Sequence, residues 1–203
     1  MNHLVFVGGC SKAGKSSFVK AYSHKHNLSA GRMFDYIRKA GIQEGIDDVA
    51  GRYVELEMKA ISLLCSDCLS SNSFLLDMHY AIQPKLDTAL ATGQFHEENL
   101  SEPYQLSMSE RAVKMIASTL NIQAIHLYAR EDVLLQRRMM VKYLEGKTPR
   151  SVSPHSIRNE LLNEQNQFQR FCEIAGNIQS VSFDNSEDLD TLINAMESMR
   201  VGI

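Results

Sequence analysis

The residues with the most evident chemistry lie near the start of the chain. Gly9, Cys10, Ser11, Lys12, Ala13, Gly14, Lys15 and Ser16 spell Gly-x-x-x-x-Gly-Lys-Ser, and Ser17 follows. Glycines let a backbone wrap closely around an anion, and the N–H groups that open a helix receive its negative charge. In this motif, called Walker A, the lysine reaches the β- and γ-phosphates of a nucleotide and the serine hydroxyl ligates Mg2+. The expected ligand of residues 9–17 is therefore ATP with Mg2+, and Lys15 is the first catalytic candidate.

A carboxylate has to complete the metal side. The run Ser73-Phe74-Leu75-Leu76-Asp77 is apolar and ends in one, the Walker B pattern. In a parallel sheet such a carboxylate emerges beside the phosphates, so Ser16 and Asp77 are the metal candidates. A phosphoryl group in transfer also needs positive charge around it. Arg137 and Arg138, with Arg150 in the short basic loop that follows, are the catalytic candidates for this. Adjacent helix residues point to different faces, so Arg137 and Arg138 need not both act.

The elements that must hold these groups follow from apolar periodicity. Leu4–Val7 reads as a buried strand, with a helix over 15–26 after the loop and a connection or edge strand at 27–30. A helix over 31–40 is expected to stop at Gly41 and to pack through Phe34, Ile37 and Ile42. Asp47 or Asp48 is expected to cap a longer helix with Val49, Tyr53, Leu56, Ala60 and Leu63 inward. Ser107-x-x-Glu110 has the form of a capping box opening a helix through Leu120. Strands at 122–128 and 178–183 alternate with helices at 131–145, from Pro154 to Gly176, and after a Ser186 cap. Ile157, Leu161, Phe168 and Phe171 are the expected buried stripe of the second of these helices. This alternation predicts an α/β fold of the P-loop NTPase type, a parallel β-sheet flanked by helices in three α/β/α layers. The whole chain, 1–203, reads as one domain, with a short lid at about 146–153 and a loop-rich insertion at about 83–106.

Composition narrows the classes. A net charge of -3 argues against extensive nucleic-acid binding. No apolar run reaches the length of a membrane span, and the chain enters a strand at once, so a cytoplasmic protein without a signal peptide is expected. Cys65 and Cys68 form an isolated Cys-x-x-Cys among leucines, read as a reduced, partly buried pair. Cys10 sits inside the loop as a thiol open to oxidation. The insertion is the surface that a homo-oligomer contact or a protein partner would use.

Taken together, these motifs resemble the adenylate kinase family of the nucleoside monophosphate kinases, the archaeal type in particular. The shared features are the Walker A loop, Gly31-x-Met33-Phe34, Asp77-x-His79, and Leu134-Leu135-x-Arg137-Arg138 followed by Arg150 and a helix with Gln165 and Arg170. The resemblance implies ATP and Mg2+ at the loop, a lid carrying Arg137 or Arg138 with Arg150, and His79 near the phosphates. It implies substrate contacts from Gly31 with Arg32 or Arg38, and AMP as the acceptor. The family's acidic-arginine segment is not clear after Gly41, and the insertion has no counterpart. A phosphate acceptor wants arginines, whereas a hydroxyl acceptor benefits from a carboxylate such as Asp35 or Asp77. Small-molecule substrates thus include either a nucleoside monophosphate or a hydroxyl-bearing metabolite. A nucleotide-dependent regulatory or assembly ATPase is the reading outside the kinases.

Overall fold

The computed structural model describes residues 2–47, 49, 51–83, 103–144 and 152–198. Five parallel strands form the central sheet: β1 (His3–Gly8), β2 (Ser29–Arg32), β3 (Ser73–Asp77), β6 (Asn121–Tyr128) and β7 (Gln179–Asp184). Their order is β2-β3-β1-β6-β7. The three inner strands read as near-continuous apolar runs because both faces are covered. A two-stranded antiparallel ribbon, β4 (Ala81–Ile82) with β5 (Gln105–Leu106), stands beside the sheet.

The period of two along β1 divides the core. Leu4 and Phe6 face one layer, built by α2 (Met33–Glu44), α3 (Tyr53–Leu69), α4 (Glu110–Thr119) and α6 (Pro154–Ala175). Val5 and Val7 face the other, built by α1 (Lys15–His26) and α7 (Leu189–Ser198). The helix α5 (Glu131–Leu144) meets α6 above the loop, where Cys10, Ala13, Ala129, Leu134 and Ile157 form a third small cluster. The three-layer α/β/α arrangement expected from the alternation of elements is the fold observed. Among the described residues no helix is long and apolar enough to cross a membrane.

Several local expectations are corrected. Gly41 does not stop α2; it lies inside the helix, and the stop is Gly45 at φ 67. A Cβ at Gly41 would meet Val49 at 2.7 Å, so this glycine serves helix packing. The buried face of α2 is Met33, Tyr36, Ile37 and Ala40, while Phe34 and Ile42 are exposed. Asp47 does not open α3, which begins at Tyr53 after Arg52, and Asp48 lies outside the described residues. Ser107 is not the cap of α4: its hydroxyl donates to the His79 carbonyl, and Ser109 Oγ accepts from Ala112 N at 3.2 Å instead. The final helix is capped by Asp188, which accepts from Thr191 N, and Ser186 Oγ turns to Arg130 N. The lid residues 146–151, with Arg150, and most of the insertion, 84–102, lie outside the described residues.

Candidate functional site

The phosphate loop leaves the carboxyl end of β1 and enters α1 at Lys15. Its two motif glycines have positive φ, 146° at Gly9 and 94° at Gly14. A Cβ at Gly9 would sit 1.9 Å from the Leu127 carbonyl oxygen, and one at Gly14 would sit 2.1 Å from Asn185 Nδ2. Glycine is required at both places by space as well as by conformation. Lys12, also at positive φ, shows how tightly the loop is turned.

Every carbonyl from Gly9 to Gly14 accepts a hydrogen bond. Lys15 Nζ donates to Gly9 O at 2.7 Å and Cys10 O at 2.9 Å. Arg138 donates to Ser11 O at 3.1 Å, Arg137 to Lys12 O at 3.3 Å and Asn185 Nδ2 to Ala13 O at 2.7 Å. Gly14 O receives the first helical bond, from Phe18 N. With its carbonyls engaged in this way, the loop turns its polarity towards anions. The N–H groups of Lys15, Ser16 and Ser17 precede that first bond and have no partner within the helix, which makes the helix start an anion receptor.

Asp77 stands beside the loop, where the sequence leads one to expect the metal side. It ends β3, in register with Val7, and is buried. Ser16 Oγ donates to its Oδ2 at 2.5 Å. A hydroxyl and a carboxylate at this separation are hard oxygen donors of the kind Mg2+ takes with phosphate oxygens, so the pair fits that ion.

The two adjacent arginines separate as helix geometry requires. Arg137 is half-buried, spanning Lys12 O and Asn185 O at the rim of the loop. Arg138 is fully buried, paired with Glu160 at 2.8 Å, and its second contact is the Ser11 carbonyl. Of the two arginines expected to supply a lid cation, Arg138 is thus a buried support under the loop in this structure, and Arg137 is the one at the rim. Cys10 is also corrected. Its thiol is buried against Leu134 and Ile157, and burial pushes its pKa up to about 12, so it is no open redox group.

His79 lies at the end of Asp77-x-His79, with Nδ1 3.1 Å from Glu164 Oε1. Gly31 sits in β2 against Phe74 and Tyr36, where a Cβ would have 3.1 Å and 3.2 Å, so its smallness serves packing. Arg32 ends β2 in register with Asp77 and holds both oxygens of Asp35, at 2.8 and 3.0 Å. Arg38 lies on the exposed side of α2, over the Phe34 ring at 5.5 Å.

Three residues that support the site escaped the sequence reading. Asn185 reaches the loop from beyond β7. Glu160 accepts from Ser11 N at 2.9 Å, and Glu164 accepts from Tyr80 N and Ala81 N, both at 2.9 Å. Glu164 is fully buried, and desolvation raises its pKa to about 7 against the pull of Lys15. A sequence signal for the two glutamates existed. They are spaced four apart and interrupt the apolar stripe of Ile157, Leu161, Phe168 and Phe171.

Sheet order, loop and strand-end aspartate define an α/β protein with the P-loop fold. Solved structures of that fold superpose along nearly the whole chain. The YorR protein of Bacillus subtilis, solved in complex with phosphorylated GDP, matches with a TM-score of 0.58 at 12% identity, over 97% of this chain and 94% of its own. Shikimate kinase from Acinetobacter baumannii, solved with shikimate, gives 0.53 at 11%, over 98% and 92%. Shikimate kinase from Bacteroides thetaiotaomicron gives 0.51 at 14%, over 98% of each chain. At these identities the likeness is one of fold. No protein-family model and no curated protein matches the chain in sequence.

Proposed function

We propose that the protein is a Mg2+-dependent kinase that passes the γ-phosphoryl group of ATP to a hydroxyl group of a small molecule. The loop and Lys15 hold the nucleotide's phosphates, and Ser16 with Asp77 would hold Mg2+. That ion supplies charge neutralisation on the phosphate oxygens. The residues of this chain do the rest by positioning. Arg137, at the rim of the loop, needs only to exchange backbone acceptors for a phosphate oxygen. The acceptor oxygen forms its bond to phosphorus as the bond to ADP breaks, and a carboxylate takes the hydroxyl proton.

The observation that carries the hydroxyl reading over AMP is the Arg32–Asp35 pair beside Asp77. A monophosphate acceptor needs arginines with charge to spare. Arg32 instead spends its fork on a carboxylate, Arg52 pairs with Glu55, and Arg38 lies over Phe34. Asp35 is half-exposed, and each of its oxygens keeps a second lone pair beside the Arg32 bond, so a neutral hydroxyl is the acceptor that such a pair would take.

An acceptor panel scored by ADP release tests this. Polyols, sugars, hydroxy acids and nucleosides are compared with nucleoside monophosphates. A hydroxyl compound should be the acceptor, and Asp35→Asn should lower its turnover by ~100-fold or more. Phosphorylation of AMP with Asp35→Asn fully active would restore the adenylate kinase reading. Hydrolysis that no acceptor stimulates would point to the regulatory ATPase.

A further inference from the structure

The carboxylates of Glu160 and Glu164 lie one turn apart on α6, and each grips a different wall of the phosphate site. Glu160 binds the loop from two sides. Its Oε1 accepts from Ser11 N at 2.9 Å, and its Oε2 holds Arg138, whose own second bond returns to Ser11 O. Both backbone groups of Ser11 are thereby fixed through one carboxylate. Glu164 binds the segment that follows Asp77. Its Oε2 accepts from Tyr80 N and Ala81 N, and its Oε1 lies against His79. Both glutamates are buried. Burying carboxylates is costly, and these two occupy positions where leucines would extend the apolar stripe of α6.

We propose that Glu160 and Glu164 are positioning residues, a two-pronged latch by which α6 sets the spacing between the phosphate loop and the metal-side segment after Asp77. The inference rests on the reading of this site as a nucleotide phosphate site. It does not depend on the acceptor. The two prongs have separable consequences. Glu160 determines where the loop's N–H groups point, and so governs affinity for the phosphates themselves. Glu164 determines where the β3–β4 segment stands relative to Ser16, and so governs how well the metal ion joins the nucleotide. Outer residues of this kind contribute on the order of 10- to 100-fold to ligand affinity or activity.

Calorimetric titration of the purified protein with ADP, with and without Mg2+, tests the latch. All titrations are made at a temperature where each variant is fully folded. Glu160→Ala should weaken ADP binding by ~10-fold or more in both conditions. Glu160→Gln should fall between it and the wild type, because Ser11 N and Arg138 sit on different oxygens and the amide NH2 would face one of these two donors. Glu164→Leu should leave Mg2+-free ADP affinity within about twofold and raise the Mg2+ concentration needed for tight binding by ~10-fold. In the wild-type protein, the Ser11 and Tyr80 amides should exchange slowly with deuterium, a readout that needs no variant to fold. Variants that melt earlier yet bind ADP and Mg2+ like the wild type would reduce both glutamates to structural groups and overturn the proposal. So would fast exchange at Ser11 and Tyr80. A protein that binds ADP with this pattern of losses but phosphorylates no hydroxyl would remove only the kinase reading.

Discussion

Lys15 has two roles that a single substitution can separate from general stability. In the structure its ammonium bridges the Gly9 and Cys10 carbonyls, closing the loop on itself. Under the proposed function the same ammonium would be the loop's point charge for a polyphosphate. Lys15→Ala should therefore reduce phosphoryl-transfer turnover by ~100-fold or more, since the charge acts where negative charge gathers in transfer. Steady-state kinetics with saturating ATP would check this, and near-normal turnover would sink the assignment of the loop. Lys15 was legible in the sequence because its motif is local, with every element of the pattern within eight residues. Asn185 was not, because it meets Ala13 from 172 residues away. Nothing in the polar run around Asn185 distinguishes a loop support from an ordinary turn residue.

Whole elements were legible wherever one physical rule acted alone. The inner strands β1, β3 and β6 were placed within a residue or so, because burial on both faces leaves a continuous apolar run. Helix ends were legible less often, since several polar residues compete to cap and only one has the right backbone. Ser107 and Ser109 are such competitors at α4. Ser109 is extended, at φ -62 and ψ 151, and its side chain accepts from Ala112 N. Ser107 is drawn away to the His79 carbonyl. Gly41 misled for a related reason, since tight packing against Val49 and a helix stop call for the same residue. Replacing the true cap should have a measurable cost. Ser109→Ala should destabilise the protein by about 1 kcal/mol. Ser109 N also donates to the buried Glu57 carboxylate at 2.7 Å, and the substitution leaves that backbone bond in place. A denaturant midpoint unchanged in Ser109→Ala would return the capping role to Ser107.

At the scale of the molecule, the helix α6 joins the two halves of the phosphate site through buried charge, and that gives stability a dependence on pH. Glu164 is surrounded by Lys15 from α1, His126 from β6, Glu160 from α6 and His79 from the segment after β3. Burial dominates, and the carboxyl is raised from 4.5 to about 7. Between those values the folded protein holds a proton that the unfolded chain has released. Stability from this group therefore falls as pH rises from about 4.5 to about 7 and stays low above that. At ~1.4 kcal/mol per pKa unit, the change is on the order of a few kcal/mol. His126 acts in the opposite direction. Burial lowers its pKa, so the folded state resists protonation and stability is lost as pH falls below its unfolded value. A melting curve of the wild type alone would mix the two. Glu164→Gln removes one of them and keeps an oxygen for Tyr80 N and Ala81 N. The difference in melting temperature between wild type and Glu164→Gln should then shift in favour of the wild type as pH is lowered from 8 to about 5. A difference that stays constant across that range would show that the Glu164 carboxyl titrates alike in the folded and unfolded chain, and that its burial among α6, β6 and the loop carries no electrostatic cost.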